Sequence, residues 1–260
     1  MRQSGVAVEE NTEKTRLDGV LRLLEANTSA TISEIAEQFR VSQMTIRRDL
    51  QKLAETGLVI RIPGGARIER WRGMERSFTE RLEKMSPAKR SIGTAAARLV
   101  KDGDSVVLDS GTTTLYVARE LRNRNHVVVI TFSLAVLEEL SSAETLRVEL
   151  TGGVYRASSH DLIGHAVAQS LNAIYADSVI FGAAAVSFER GVMVHDPDAQ
   201  REMLRAGRRK ILVVDSSKIG TEATYRLCGI EECDLIVTDS GLAGPDLDRL
   251  RRMTEVQIAQ

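Results

Sequence analysis

The chain has 260 residues, long enough for one large domain or two ordinary ones and for a sizeable core. Apolar content of 43% and charged content of 27% are those of a soluble globular protein, and a net charge of −1 says nothing about partners as a whole. Charge is uneven, however: residues 40–72 hold eight basic side chains against three acidic ones, +5 in that segment against −6 elsewhere, so one end of the chain is suited to a polyanion. The opening MRQSGVAVEENTEKTR has no apolar h-region, and the longest apolar-leaning run, VVVITFSLAVL (127–137), is far too short to cross a bilayer. No secretory signal and no membrane partner are expected, and the location expected is cytoplasmic. Cys228 and Cys233 sit five apart and the four histidines show no ligand spacing, which predicts reduced thiols and no metal site.

In chain order, residues 1–13 are expected to form a disordered tail. Leu17, Val20, Leu21 and Leu24 then fall on one helical face over 14–26. TISE (31–34) is a capping-box pattern opening a short helix with Ile35, Ala36 and Phe39 inward. Arg40 and Val41 make a tight turn, and Ser42 caps a helix from Gln43 to about Glu55. At the helical period, Ile46, Leu50 and Leu53 form a narrow apolar stripe, while Met44, Thr45, Arg47, Arg48, Gln51 and Lys52 share the outward half. Two short helices with a tight turn, the second basic and polar outward, make a helix-turn-helix. Its second helix fits a major groove, with Gln43, Thr45 and one arginine reaching base edges, and the other arginine and Lys52 meeting phosphates. Gly57 reads as the C-cap, and LVIRIPGGARIER as two strands around a Gly64-Gly65 turn, a wing whose Arg61 and Arg67 flank the DNA backbone. An exposed Arg-Arg pair is by itself most often a solvated face. The helix lengths, the turn and the basic wing together favour DNA.

The segment VSQMTIRRDLQKLAETGLVIRIPGGA resembles the N-terminal signature of DeoR-family bacterial transcription regulators. The family usually carries a histidine before the Gly-Gly, where this chain has Pro63. The winged helix-turn-helix is taken as residues 14–68, followed by a charged linker over 69–87, read as a connector that can be partly helical, with Trp71 and Phe78 tucked against a domain; SFTER there resembles the family's inter-domain segment.

From residue 88 to 245, helical stretches alternate with apolar strands (SVVLD, HVVVIT, RVELTGG, SVIFGAAAV, KILVVD, DLIVTD), which predicts a mostly parallel sheet covered on both faces; 246–260 reads as a tail. Ligands of such sheets bind beyond the carboxyl ends of the strands. There the chain offers Asp109, Ser110, Gly111, Thr112, Thr113 and Thr114 leading into a helix, then Gly152 and Gly153, Ser158 and Ser159, Gly182, and Ser216-Ser217-Lys218. Hydroxyls, close-approaching backbone and helix N–H groups can cradle a phosphate. An ordinary polar N-cap explains the first loop taken alone, whereas several small hydroxyl-bearing loops with one lysine favour a phosphorylated metabolite. No GxGxxG follows a strand and no Walker A motif occurs, so no dinucleotide or other cofactor is expected.

DSGTTT, VTGG, FGAAAVSFERGV and VVDSSK extend the resemblance to the family's C-terminal sensor domain, so that it covers about residues 14 to 240. It implies a sheet like those of ribose-5-phosphate isomerases and CoA-transferases, a phosphorylated sugar or polyol as effector, and roles for Asp109, Ser110, Gly111, Thr112, Thr113, Gly152, Gly153 and Lys218. Two departures stand out: Thr131-Phe132-Ser133 where the family has Thr-Asn-Ser, and Gln200 beside Arg201 where it often has lysine. Three functions are left to weigh. The first is a repressor of sugar or polyol catabolism genes, at least a dimer, binding double-stranded operator DNA under control of the effector. The second is a sugar-phosphate isomerase, disfavoured because its acidic loop reads Phe181-Gly182-Ala183-Ala184-Ala185 here. The third is a winged-helix module with a partner other than DNA.

Overall fold

The computed structural model describes residues 4–27, 29–55, 59–68, 78–242 and 244–260. In it the first helix, α1, spans Ser4–Asn27. The disordered tail expected over 1–13 is therefore corrected from Ser4 onward: no proline or glycine interrupts residues 6–18, so nothing ends the helix where its apolar periodicity fades. A short strand β1 (Ser29–Thr31) leads into α2 (Ile32–Phe39), α3 (Gln43–Glu55), β2 (Val59–Ile62) and β3 (Gly65–Ile68). The capping box is made in full, with the Thr31 hydroxyl accepting from the Glu34 N–H and Glu34 reaching back to the Thr31 N–H at 2.7 Å. Arg40 ends α2 in the left-handed conformation, φ 53. The core of this unit gathers Val20, Leu24, Ile35, Ile46, Leu50 and Leu53. Arg16 holds the buried Asp49 with two contacts of 2.6 and 3.1 Å, tying α1 to α3.

The wing differs from expectation by one residue. Ile62 pairs with Gly65, so the turn is Pro63-Gly64, and φ 79 at Gly64 after a proline fits a type II turn. Strand β3 also pairs with β1, which makes the sheet three-stranded in the order β1-β3-β2. The positions of Gly57 and Trp71 lie outside the described residues.

Residues 1–72 and 73–260 form two compact units. The second opens with α4 (Phe78–Glu83) and α5 (Ser86–Ala97). Phe78 and Leu82 pack against its core, so the linker expected over 69–87 gives way to domain structure at Phe78. The chain continues through β4 (Ser105–Leu108), α6 (Thr112–Leu121), β5 (Val128–Thr131), α7 (Leu134–Leu140), β6 (Arg147–Leu150), β7 (Val154–Arg156), β8 (Asp161–Ile163), α8 (His165–Asn172) and β9 (Ala176–Phe181). It then forms β10 (Ala185–Ser187), β11 (Gly191–Val194), α9 (Asp198–Arg205), β12 (Gly207–Val213), β13 (Tyr225–Cys228), β14 (Leu235–Asp239), α10 (Pro245–Arg251) and β15 (Val256–Ala259). Seven of these strands make one sheet in the order β15-β14-β12-β9-β4-β5-β6, every pair parallel. Residues 246–260 are not a tail: β15 completes the sheet alongside β14, and Ala259 is buried.

Side chains alternate across the sheet. Val106 and Leu108 enter a cluster with α5, α6 and α7, while Val107 faces the opposite cluster with α8 and α9. The second cluster also buries Cys228 and Cys233, both free thiols. The strands run outward in two directions from the β4–β9 pair, β5 and β6 to one side and β12, β14 and β15 to the other. That reversal opens a crevice at the carboxyl ends of β4 and β9. Hairpin β7–β8 and the antiparallel sheet β10-β11-β13 stand beside this crevice.

Candidate nucleic-acid interface and candidate ligand pocket

On α3, the buried stripe of Ile46, Leu50 and Leu53 leaves Gln43, Met44, Arg47, Arg48 and Lys52 exposed on the other side. Ser42 caps the helix, its hydroxyl accepting from the Thr45 N–H at 3.1 Å and meeting the Thr45 hydroxyl at 2.9 Å. Gln43 donates to Ser33 on α2 at 3.2 Å, so its amide is held near the turn. Lys52 pairs with Glu13, and Arg61 of the wing donates to Gln51 at 2.8 Å. Such exposed contacts are weak, and a phosphate can displace them. Gly64 stands open at the wing tip. Gly65 does not share that role: it is buried, and a Cβ there would lie 2.3 Å from the Ala30 carbonyl oxygen, so it serves the close approach of β1 to β3. Arg67 belongs to β3 by its backbone; its side chain is outside the described residues.

The crevice at the strand reversal holds a cavity of about 390 Å³, within the usual range for a small-molecule site. Asp109, Ser110, Gly111, Thr112, Thr113, Ser159 and Lys218 line it, each of which the sequence singles out. Asp109 follows β4 and is buried. Its Oδ1 accepts from the Ser110 N–H at 2.8 Å; its Oδ2 accepts from the Gly182 N–H at 3.0 Å and the Gln200 amide at 2.6 Å. Burial pushes its carboxyl up to about 6 against the pull of these three donors, with nearby Asp161 pushing the same way. Gly111 sits at the N-cap of α6 with no side-chain cap, and Gly111, Thr112 and Thr113 at that helix start line the cavity. Ser110 donates to Asp161 at 2.7 Å, and Asp161 is gripped by Arg156 at 2.9 and 2.7 Å.

Three expected contacts lie elsewhere. Thr114 is fully buried, its hydroxyl donating to the carbonyls of Asp109 and Gly111 at 2.7 and 2.6 Å, so it shapes the loop from behind. Gly152 and Gly153 do not line the cavity. At Gly153, φ is 148 and a Cβ would come within 2.9 Å of the Ile163 carbonyl oxygen, so backbone packing explains the glycine.

Of the basic side of the cavity, sequence reasoning finds Lys218 and misses the rest. Lys89 and Lys218 line it with Arg81, Lys84 and Arg156. Lys89 is buried, and burial, with Lys218, Arg81 and Lys84 acting the same way and Asp215 opposing them, draws its ammonium down to about 8. Its Nζ donates to the Arg81 carbonyl, and Lys218 donates to the Ala183 carbonyl at 2.6 Å. Among the described residues, no helix is long and apolar enough to cross a membrane, and no group of three or more metal-ligating side chains is placed to hold an ion.

Residues 16–70 match the family described as DeoR-like helix-turn-helix domain, and residues 84–240 that described as DeoR C terminal sensor domain. The chain is 33% identical over 230 residues to the HTH-type transcriptional repressor GlcR of Bacillus subtilis (strain 168), spanning 87% of this chain and 88% of that protein. It is 31% identical over 248 residues to the lactose phosphotransferase system repressor of Streptococcus mutans serotype c, spanning 94% and 97%. Among solved structures it is similar to ribose 5-phosphate isomerase A of Methanocaldococcus jannaschii, with a TM-score of 0.39 and 20% identity over 52% of this chain and 54% of that one.

Proposed function

Because this chain belongs to the DeoR family of transcription regulators, we propose that it represses sugar or polyol catabolism genes, holding operator DNA with α3 and the wing and releasing it when a phosphorylated sugar or polyol fills the cavity. Arg47, Arg48, Gln43 and Thr45 face the major groove in this reading, with Lys52 and Arg61 on phosphates. A role on chromosomal DNA goes with a cytoplasmic location, and a two-fold operator with at least a dimer. The observation that carries the effector assignment is the burial of Lys89 among Lys218, Arg81 and Lys84 at the cavity wall. Lys89 is buried, while Arg81 and Lys218 are half-buried and Lys84 is exposed; like charges gathered around a buried ammonium are costly, and a phosphoryl group relieves that cost. The hydroxyls of Ser110, Thr112 and Thr113 and the Asp109 carboxylate suit the polyol end. The pocket is read as a binding site and not a catalytic one, since both Asp109 oxygens are already engaged by donors.

Control is then linkage: the ligand binds the DNA-incompetent arrangement more tightly, which typically shifts operator affinity by about 1–3 kcal/mol. The test uses DNA selected from a random-sequence pool by the wild-type chain. Arg47→Ala or Arg48→Ala is expected to weaken binding by about 1–3 kcal/mol if the side chain reads a base, or to lower the salt slope by about 1 if it meets a phosphate. Lys218→Ala is expected to keep DNA affinity while losing the response to sugar phosphates. Unchanged affinity and salt slope in both arginine variants would sink the DNA assignment, and an unchanged ligand response in Lys218→Ala the pocket.

A further inference from the structure

The seven-stranded sheet ends at β6, which pairs with β5 on one side and with no other strand among the described residues. The Arg147 N–H donates to the Val127 carbonyl and the Thr151 N–H to the Thr131 carbonyl, both at 3.0 Å. Successive residues of a strand turn their backbone groups to opposite sides, so residues 147, 149 and 151 face β5. The N–H and C=O groups of Val148 and Leu150 therefore point off the edge of the sheet, open to another strand.

Natural edges are commonly guarded by charges that repel a second copy. This one carries charges that attract it. Residues 146–150 read Leu-Arg-Val-Glu-Leu, an apolar and polar order that is the same in either direction about Val148. A second copy laid antiparallel, with a two-fold axis at Val148, sets each Arg147 opposite the other copy's Glu149 and each Leu146 opposite its Leu150. Val148, whose backbone groups face outward, makes the hydrogen-bonded pair with its own counterpart. The Arg–Glu pairs then fall at the closer, non-hydrogen-bonded positions, where opposite charges reinforce a sheet. The side chains are placed for this. Arg147 and Glu149 lie on one face, 2.8 Å apart, the first exposed and the second half-buried. On the other face Leu146 and Val148 pack against the core while Leu150 is left exposed.

We propose that β6 is a homodimer seam: two copies of this chain join edge to edge through residues 146–150 into one continuous sheet. The seam goes beyond the reading above, since it rests on the strand's own pattern and stands whether or not the cavity takes a sugar phosphate. A stable pair buries about 1,200–2,000 Å² in total, more than a short strand supplies. Val154 and Tyr155, exposed apolar side chains on β7 just after β6, extend the surface.

The test is the mass of the full chain by sedimentation equilibrium, with far-ultraviolet circular dichroism as the check on folding. The wild type is expected to be a dimer or a multiple of it. Arg147→Glu sets glutamate against glutamate across the seam, and Glu149→Arg sets arginine against arginine. Each is expected to fall to half the wild-type mass, with a dissociation constant raised about tenfold or more. Mixed in equal amounts, the two variants are expected to recover the wild-type mass, because each strand then supplies the charges the other lacks. The chain carrying both substitutions is expected to recover it alone. Recovery on mixing also excludes misfolding as the cause of the lower mass. A monomeric wild type, single variants that keep the wild-type mass, or variants that dissociate and do not recover on mixing would overturn the seam. The DNA and pocket readings stand or fall separately, on operator binding by the α3 variants and ligand response in Lys218→Ala.

Discussion

Lys89 carries a charge into a place that disfavours it. Its pKa is depressed in the folded chain, so its contribution to stability is present above the unfolded value, about 10.4, and is lost as pH falls through about 8. An anion works the other way, since it needs the ammonium form. Phosphate affinity is therefore expected to decline as pH rises through about 8, with proton uptake on binding near that pH; calorimetry in two buffers of different ionisation enthalpy measures both. Lys218, Arg81, Lys84 and Asp215 face the same ammonium group, so the control is Lys89→Met, which removes the uptake and weakens binding. Nothing in PAKRSIG marks this lysine in the sequence, because a single lysine near a helix start reads as solvated until the fold buries it. Asp109 and Ser110 are legible for the opposite reason: a polar run directly after an apolar strand falls where a parallel sheet presents its ligand loops. Gly153 is legible as a special position but not as to purpose, since close approach to backbone and close approach to ligand select the same residue.

Among elements, those with a local cause are readable. Thr31 and Glu34 announce the start of α2, and TTTLYVAREL coincides with α6 over Thr112–Leu121. Thr31→Ala removes the hydroxyl that caps α2 and is expected to cost the DNA-binding unit about 1 kcal/mol, seen as a lower denaturant midpoint at unchanged slope. Hairpin β7–β8 has no such cause. Its strands are three residues each, VYR and DLI, too short to show alternation, and what holds them is the Arg156–Asp161 pair and bonds to distant loops. The wing turn is displaced by one residue because Gly64-Gly65 offers two glycines and only the register with β1 selects between them. Likewise, α1 continues to Ser4 through residues that carry no apolar rhythm to reveal it.

At the scale of the chain, alternating apolar strands and helices foretell a parallel sheet, but strand order is a long-range property that no local pattern encodes. The consequence shows in residues 246–260, which read as polar and peripheral yet supply β15. Met253 and Val256 pack on the core there, and Ile236 to Asp239 of β14 pair along it. Deleting residues 253–260 is expected to lower the Tm of the second unit, by about 2–4 °C for each kcal/mol lost, with the DNA-binding unit unaffected; differential scanning calorimetry reports the two. Sheet order also has a consequence for regulation. The walls of the cavity come from stretches of chain reaching from Arg81 to Thr221, brought together only where the strands reverse direction. On the proposed reading, a lesion in any of these stretches costs the effector site, while the unit that carries α3 and the wing keeps a core of its own.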